Sequence, residues 1–498
     1  MISICDQSAV ALMGLLKSRA LSPVELLDAC LARIAAVNPA VNAVVTLDEQ
    51  GARLAAKTAE AAILRGEDLG PLHGLPVLIK DTQDTIGLRT TYGSPILADN
   101  VPAADQGSVA RLRAAGAIIF GKTNTPEFAA GANTRNPVHG ATGNPFDPLR
   151  SAAGSSGGSA VALACGMAPL ASGSDTGGSL RNPAGYAGIV GMRPSYGLVA
   201  SEKRAHGWSC LSTDGPMARN VADTALMLAV MASDDARDPL AYTLPGEPIR
   251  GRADRWLTPA PVDLGKLRVA FTEDFGFAPT EAAIRRVFRS RVDRLAPRFG
   301  ACREGAPDCA GADETFAVLR AALFLTTHGK NFRERPEMLG PNVRANVEEG
   351  LRYSLDDYAR AAASQTRIYR GFQDFFASCD VLISPTLTLS PRPWAELYPT
   401  EIDGAPTKSY FHWLALAYGV TLAGHPALSL PLGLDEAGMP FGVQIVGPRG
   451  GDAQVLSVAA ALESACAGEP QLCRPQPDLT HLASLPPLSH APGFRAWD

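Results

Sequence analysis

Three segments of the chain bring together residue types that could do chemistry. SDTGGSLR, residues 174–181, sets Ser179 directly behind two glycines. A nucleophilic serine needs a partner that takes its proton, and the nearest histidines in sequence, His139 and His206, are far from it. GSSGG, residues 154–158, matches G-x-S-x-G with Ser156 at its centre, the sharp turn that presents the serine of α/β-hydrolases. That arrangement calls for a downstream histidine. His425 in AGHPAL is the candidate, although its Gly424 and Pro426 neighbours suit a structural role at least as well. GAIIFGKT, residues 116–123, fits the phosphate-loop pattern letter by letter. A phosphate loop needs flexible residues that turn N–H groups toward phosphate; Ala117, Ile118, Ile119 and Phe120 are strand residues, so nucleotide chemistry is not expected.

Lys80 offers a different base. It ends the apolar run Leu75-Pro76-Val77-Leu78-Ile79, which places its ammonium at the margin of a dry interior. Burial disfavours the charged form and lowers a lysine pKa; a shift of ~3 units from ~10.4 corresponds to roughly 4 kcal/mol. A neutral lysine can then take a proton as histidine does elsewhere. Asp81 and Asp84 oppose this, because a carboxylate on Lys80 keeps the proton in place. Taken alone, Lys80 reads equally well as a strand-end residue paired with Asp81. Residues 154–191 also carry ten glycines. Glycine at that density costs backbone entropy, so the backbone there packs tightly or approaches a ligand.

The elements that must position these residues alternate. Ser22-Pro23-Val24-Glu25 is a capping box with proline in the first turn; the helix it opens buries Leu27, Leu31, Ile34 and Val37 and is expected to stop at Asn38-Pro39. Strands are expected at 41–47, 75–79, 118–120, 267–271, 381–383, 427–431 and 441–446. Helices are expected from the end of the 41–47 strand to about 65, near 107–115, and around 159–167, 221–231, 281–296 and 453–464. This pattern predicts an α/β fold, one large domain with a mixed sheet covered by helices on both faces. Within it, 1–65 is an N-terminal helical part and 66–232 the core that holds the motifs. Residues 233–376 read as a mainly helical insertion, with 235–262 a surface excursion, and 377–469 as the remaining sheet. The tail 470–498, with six prolines, is expected to lie extended on the surface.

Composition excludes several function classes. The chain has 498 residues, 46% hydrophobic and 19% charged, with a net charge of −5, and no basic run of the kind that binds nucleic acid. The apolar run Ala9–Leu16 follows no charged segment and is too short to span a bilayer. It reads as a core-facing helix, with no membrane role. Nine scattered cysteines without a C-x-x-C pair indicate free thiols in a reducing cytosol. Cys165, in an apolar helix, is a small core residue. No zinc pattern appears and the eight histidines form no i, i+4 pair, so no metal is expected.

The ordered set GLPVLIKD, GSSGGSA and SDTGGSLRNPAGYAGIVGMRPSYG strongly resembles the amidase signature family of serine hydrolases. RTTYGSP (89–95), AGAIIFGKTNTPEFA (115–129), GPMARNVADTALML (215–228), DVLISPT (380–386), GHPALSLPLG and FGVQIVGP extend the resemblance over most of the chain. It accounts for the false phosphate-loop match and implies hydrolysis of an amide without metal or organic cofactor. Ser179 is implied as nucleophile, Lys80 as base and Ser155, after a cis Gly154–Ser155 bond, as the shuttle between them. The backbone N–H groups of Thr176, Gly177, Gly178 and Ser179 are implied as the oxyanion hole. Ser156 and Ser159 would be supporting residues, while Asp175 and Arg181 would hold the loop. Gly131, Asn182, Tyr410 and Trp413 are candidate substrate-binding residues, and substrate choice is expected from variable loops including 130–140, 300–345 and 390–415. The two aromatic residues, with Phe411, either line an acyl pocket or pack a helix on the core. The expected partner is a small aliphatic or aryl amide, and the family's frequent homodimer is carried over with a cytoplasmic setting. Thr421 stands where members often carry asparagine, and Leu198 and Ala200 replace frequently polar residues, so the substrate itself is not implied. Two alternatives stay open: the A subunit of glutamyl-tRNA(Gln) amidotransferase, which works with partner chains, and a non-catalytic binding protein on the same fold.

Overall fold

The computed structural model describes residues 3–67, 69–241 and 258–497. Eleven strands form one mixed sheet: β1 (Val44–Leu47), β2 (Pro76–Lys80), β3 (Ile118–Thr123), β4 (Leu170–Asp175), β5 (Val190–Arg193), β6 (Thr213–Ala218), β7 (Arg268–Phe271), β8 (Ala301–Glu304), β9 (Val381–Pro385) and, after a short hairpin of β10 (Glu401–Ile402) and β11 (Ala405–Pro406), β12 (Ala427–Leu434) and β13 (Pro440–Val446). Their order across the sheet is β1-β3-β2-β4-β6-β5-β12-β13-β9-β7-β8. β2 runs parallel to both β3 and β4, and β7 runs parallel to β8 and β9.

Alternate residues of a strand point to opposite faces, and both faces are buried. Val269 and Phe271 of β7, with Val381 and Ile383 of β9, enter a core built with helices Pro23–Val41, Gly157–Ala164, Val221–Met231 and Asp452–Cys466. Ala270 and Leu382 enter a second core with helices Ala312–Glu334, Leu355–Phe376 and Ala415–Ala423. The mixed sheet between two helical layers is therefore as the sequence predicts.

Several boundaries differ for identifiable reasons. The helix from Pro23 runs through Pro39 to Val41. Proline sits in its last turn, and the Asn38 side chain accepts from the amides of Ala43 and Val44, closing the end beyond it; β1 accordingly starts at Val44. β4, β5 and β6 are central strands that the sequence hides. LASGSD, VGMR and TDGPMA show little apolar alternation because neighbours cover them on both sides, leaving nearly every residue buried. Residues 233–376 are not purely helical, since β7 and β8 complete one edge of the same sheet. Most of the predicted excursion at 235–262 lies outside the described residues. The proline-rich tail is not merely extended: Leu472, Leu482, Leu488 and Phe494 are buried, and its short helix Leu479–Ser484 packs on helix Pro23–Val41.

Glycine density has a direct packing cause at Gly158, in the first turn of helix Gly157–Ala164. A Cβ there would lie 2.2 Å from the Asn124 amide nitrogen and 2.7 Å from the Ala43 carbonyl oxygen, both backbone atoms that cannot swing aside. Gly158→Ala is expected to destabilise the protein by about 1–3 kcal/mol, read as a lower urea midpoint. A midpoint at or above the parent value would contradict this packing role.

Candidate active site

β2 carries Lys80 at its buried end, with Ile79 opposite Lys122 and Lys80 opposite Thr123 of β3. The Lys80 amide donates to Ser172 Oγ at 3.1 Å, fixing the strand end against β4. Its Nζ lies 2.6 Å from Ser155 Oγ and 3.0 Å from Ser174 Oγ. Ser155 follows a cis peptide bond from Gly154, at the turn leading into helix Gly157–Ala164. Ser179 occupies the turn between β4 and helix Arg181–Ala187, and its carbonyl oxygen accepts from the Ser156 amide at 3.3 Å. Lys80 and Ser155 are fully buried, whereas Ser179 is 8% exposed. Of the three it alone can be reached from outside. Its hydroxyl has no hydrogen-bond partner among the described residues; in a substrate-free site such contacts are often long and tighten on binding.

Burial pushes the Lys80 pKa down to about 7, against the pull of Asp214 and Asp175. Neither carboxylate that sequence placed beside it interferes. Asp81 accepts from the Thr91 amide and hydroxyl, and Asp84 accepts from the Tyr92 hydroxyl and pairs with Lys203. Low pKa alone does not mark a base, because buried Lys122 is also pushed down to about 7 by burial. Lys122 Nζ is committed to the Gln83 carbonyl and the Thr85 hydroxyl. The hydroxyl partner Ser155 is what distinguishes Lys80.

The turn carrying Ser179 is held from beneath by Asp175. Its carboxylate accepts from Arg181 at 2.9 and 3.0 Å, from Arg193 at 3.1 Å, and from the amides of Gly178 and Leu180 at 2.9 and 3.3 Å. Burial raises the carboxyl pKa, but the two guanidiniums outweigh it and hold it well below the usual carboxylate range. Asp175 and Arg181 thus hold the loop. This corrects one expectation: the Gly178 amide is turned to Asp175 rather than toward a ligand. The amides of Thr176, Gly177 and Ser179 make no bond to the Asp175 carboxylate. Gly178, at φ +105, is where a side chain would meet Asn182 and Ala417.

The other candidates fall into two groups. Gly131, at φ +115, packs closely on Asn342, where a Cβ would stand 2.8 Å from Nδ2 and 3.9 Å from a Tyr410 ring carbon, and Asn182 reaches the Gly177 carbonyl at 3.3 Å with its own Oδ1 unpartnered. Trp413 is instead a packing residue: its indole stacks on Tyr186 and donates to the Tyr410 carbonyl. His425 packs between Phe372 and Phe376, bonds Gln373 and Gly447, and has its pKa pushed down to about 4 by burial. It serves the interior, not Ser156, whose hydroxyl faces Ser174. Ser159 likewise supports, donating to the Ser172 carbonyl at 2.8 Å. Cys165 is fully buried.

Sequence reasoning missed Ser172, Ser174 and Asp214. The two serines alternate on β4, the strand beside β2, so period-two spacing aims both at Lys80. The signal was present once β4 was recognised as a strand. Ser174 and Thr176 also line a cavity of about 340 Å³ with Tyr92, Lys203, Asp214 and His328, which opens on the Lys80 side of the site.

Comparison with known proteins establishes the family. The family model described as Amidase matches residues 25–456, and the chain belongs to the amidase signature family. It is 36% identical over 494 residues to the A subunit of the glutamyl-tRNA(Gln) amidotransferase of Acidothermus cellulolyticus, covering 93% of this chain and 95% of that one. It is 33% identical over 468 residues to an acylamidase of Rhodococcus erythropolis, covering 92% and 95%. The crystal structure of a bacterial aryl acylamidase of this family superposes with a TM-score of 0.84 at 25% identity, over 96% of this chain and 98% of that one.

Removing the charge at Asp175 strands two buried guanidiniums. Asp175→Asn is expected to cost about 3–5 kcal/mol of stability, measured by chemical denaturation. Parent-like stability would show that the buried ion cluster does not hold the turn.

Proposed function

We propose that this chain hydrolyses a small aliphatic or aryl carboxylic amide through an acyl-enzyme on Ser179. Neutral Lys80 accepts a proton from Ser155 as Ser155 accepts the proton of Ser179, whose Oγ attacks the amide carbon. The oxyanion is met by the amides of Thr176, Gly177 and Ser179. The C–N bond breaks as the proton returns through Ser155 to the departing nitrogen. Water then repeats the sequence on the ester, releasing carboxylate and restoring Ser179. The observation that carries this reading is the buried contact of 2.6 Å between Lys80 Nζ and Ser155 Oγ, free of any carboxylate on the lysine. A cytoplasmic homodimer acting on its own completes the proposal.

A second reading has a specific basis: several relatives at 34–36% identity are A subunits of glutamyl-tRNA(Gln) amidotransferase. On that reading the chain hydrolyses glutamine and requires partner chains. The intact residues Lys80, Ser155 and Ser179 weigh against a non-catalytic binding protein. Purified chain alone should release amine or ammonia from simple anilides and aliphatic amides. Turnover of glutamine only after partner chains are added would favour the second reading.

The proton inventory sets a pH dependence. Lys80 must be neutral to act, and its pKa stands at about 7, so kcat/KM should rise with pH through about 7 and then level. Lys80→Ala should lose this limb and fall by roughly 10²–10⁴. Activity that declines as pH rises through 7, or a fully active Lys80→Ala, would contradict Lys80 as the base.

A further inference from the structure

A cavity of about 350 Å³ lies beyond Gly131, between helix Pro341–Arg352 and the segment leading to Phe411; Asn342, Asn346, Tyr398, Tyr410 and Phe411 are among its walls. The proton relay does not use it, yet its polar groups are incompletely paired. Asn346 is 1% exposed, and its Nδ2 donates to the Asn342 carbonyl at 2.6 Å and to the Tyr410 hydroxyl at 2.5 Å. The backbone carbonyl fixes which end of the side chain is nitrogen, because an oxygen in that place would face another acceptor. Asn346 Oδ1 is therefore an acceptor, and it has no partner among the described residues.

Tyr410 supplies the complement. Its hydroxyl oxygen also accepts from Arg320 Nε at 3.1 Å and Nη2 at 2.5 Å. With its lone pairs occupied, its hydrogen must point away from these donors, and no acceptor for it occurs among the described residues. Arg320 is itself buried and forms no ion pair with a carboxylate among the described residues. Its guanidinium rests among the rings of Phe316, Phe324, Tyr410 and Phe411, 4.6–5.9 Å from their centroids. That uncompensated charge polarises the phenol and strengthens it as a donor.

One free acceptor and one strengthened donor on neighbouring side chains fit a group that both donates and accepts. We infer that this cavity binds a second amide group, carried on the acyl part of the substrate. A hydrocarbon there would leave both protein groups unpaired, which is costly when buried. A carboxylate would bond Tyr410 but face the lone pairs of Asn346 Oδ1. The acyl side is assigned by position. Phe411 meets Phe316 edge-on at 5.6 Å, and Phe316 covers Gly177 of the oxyanion turn. The cavity bordered by Ser174 lies instead beside Lys80, from which the proposed relay returns a proton through Ser155 to the leaving nitrogen. Gly131 packs closely on one wall of the cavity, since a Cβ there would stand 2.8 Å from Asn342 Nδ2.

This inference rests on the amidase reading above, and the test separates the two. Acyl p-nitroanilides ending in a primary carboxamide, over a graded series of methylene spacers, are compared with isosteric methyl-ended and carboxylate-ended chains. At the best spacer the carboxamide should exceed the methyl-ended chain in kcat/KM by about tenfold or more, since a site built to hydrogen-bond a group rejects the analogue lacking it. Asn346→Leu and Tyr410→Phe should each bring that ratio toward one, with Tyr410→Phe keeping the ring as the milder change. A ratio near one at every spacer in the parent enzyme overturns the second-amide site while leaving the amidase reading intact. A preference for the carboxylate-ended chain overturns it in favour of an anion site. No turnover of any anilide overturns the amidase reading and this inference with it.

Discussion

A lysine ammonium at the end of a fully buried strand is expensive to keep charged, and the pull of Asp214 and Asp175, neither of which bonds Lys80 Nζ, offsets only part of that cost. Its neighbours are two hydroxyls, Ser155 and Ser174. The lysine is thereby held near the point where it can take up or give away a proton at neutral pH. Everything else in the site follows from keeping this contact dry and short. β3 pairs with Lys80 on one side of β2, and on the other the Ser172 hydroxyl of β4 accepts from the Lys80 amide. Asp81 and Asp84, the nearest carboxylates in sequence, are drawn off to Thr91 and to Tyr92 and Lys203.

The opposite electrostatic device supports the turn bearing Ser179. Asp175 is kept fully charged by two guanidiniums and two backbone amides, so the turn is clamped by a buried ion cluster rather than by apolar packing. The same clamp consumes the Gly178 N–H, which on the proposed mechanism leaves the amides of Thr176, Gly177 and Ser179 for an oxyanion. A lysine whose charge is weakened by burial and an aspartate held ionised thus occupy one end of the sheet, and the difference lies in their immediate partners rather than in burial.

How much of this was legible in the sequence varied with the kind of interaction. Lys80, Ser155 and Ser179 are adjacent to glycine or end an apolar run, so local pattern exposed them, and strands such as β12 and β13 were visible from their apolar residues. β4, β5 and β6 were not, because strands covered on both faces by glycine-rich neighbours lose the alternation that marks a strand. With β4 unseen, Ser172 and Ser174 could not be placed beside Lys80. The role of Trp413 against Tyr186, and the cluster joining Arg320, Tyr410 and Asn346, depend on contacts between helices distant in sequence. No spacing rule reports such contacts. The helix that continues through Pro39 shows the converse: a strong local stop signal was overridden because the Asn38 side chain closes the end two residues later.

The central claim is that Ser179 is activated without histidine, and fluorophosphonate labelling of the purified chain with peptide mapping tests it most directly. The account predicts a single covalent adduct, on Ser179. An adduct on Ser156 would contradict it, restoring the G-x-S-x-G reading and requiring a base that the buried His425 is poorly placed to provide.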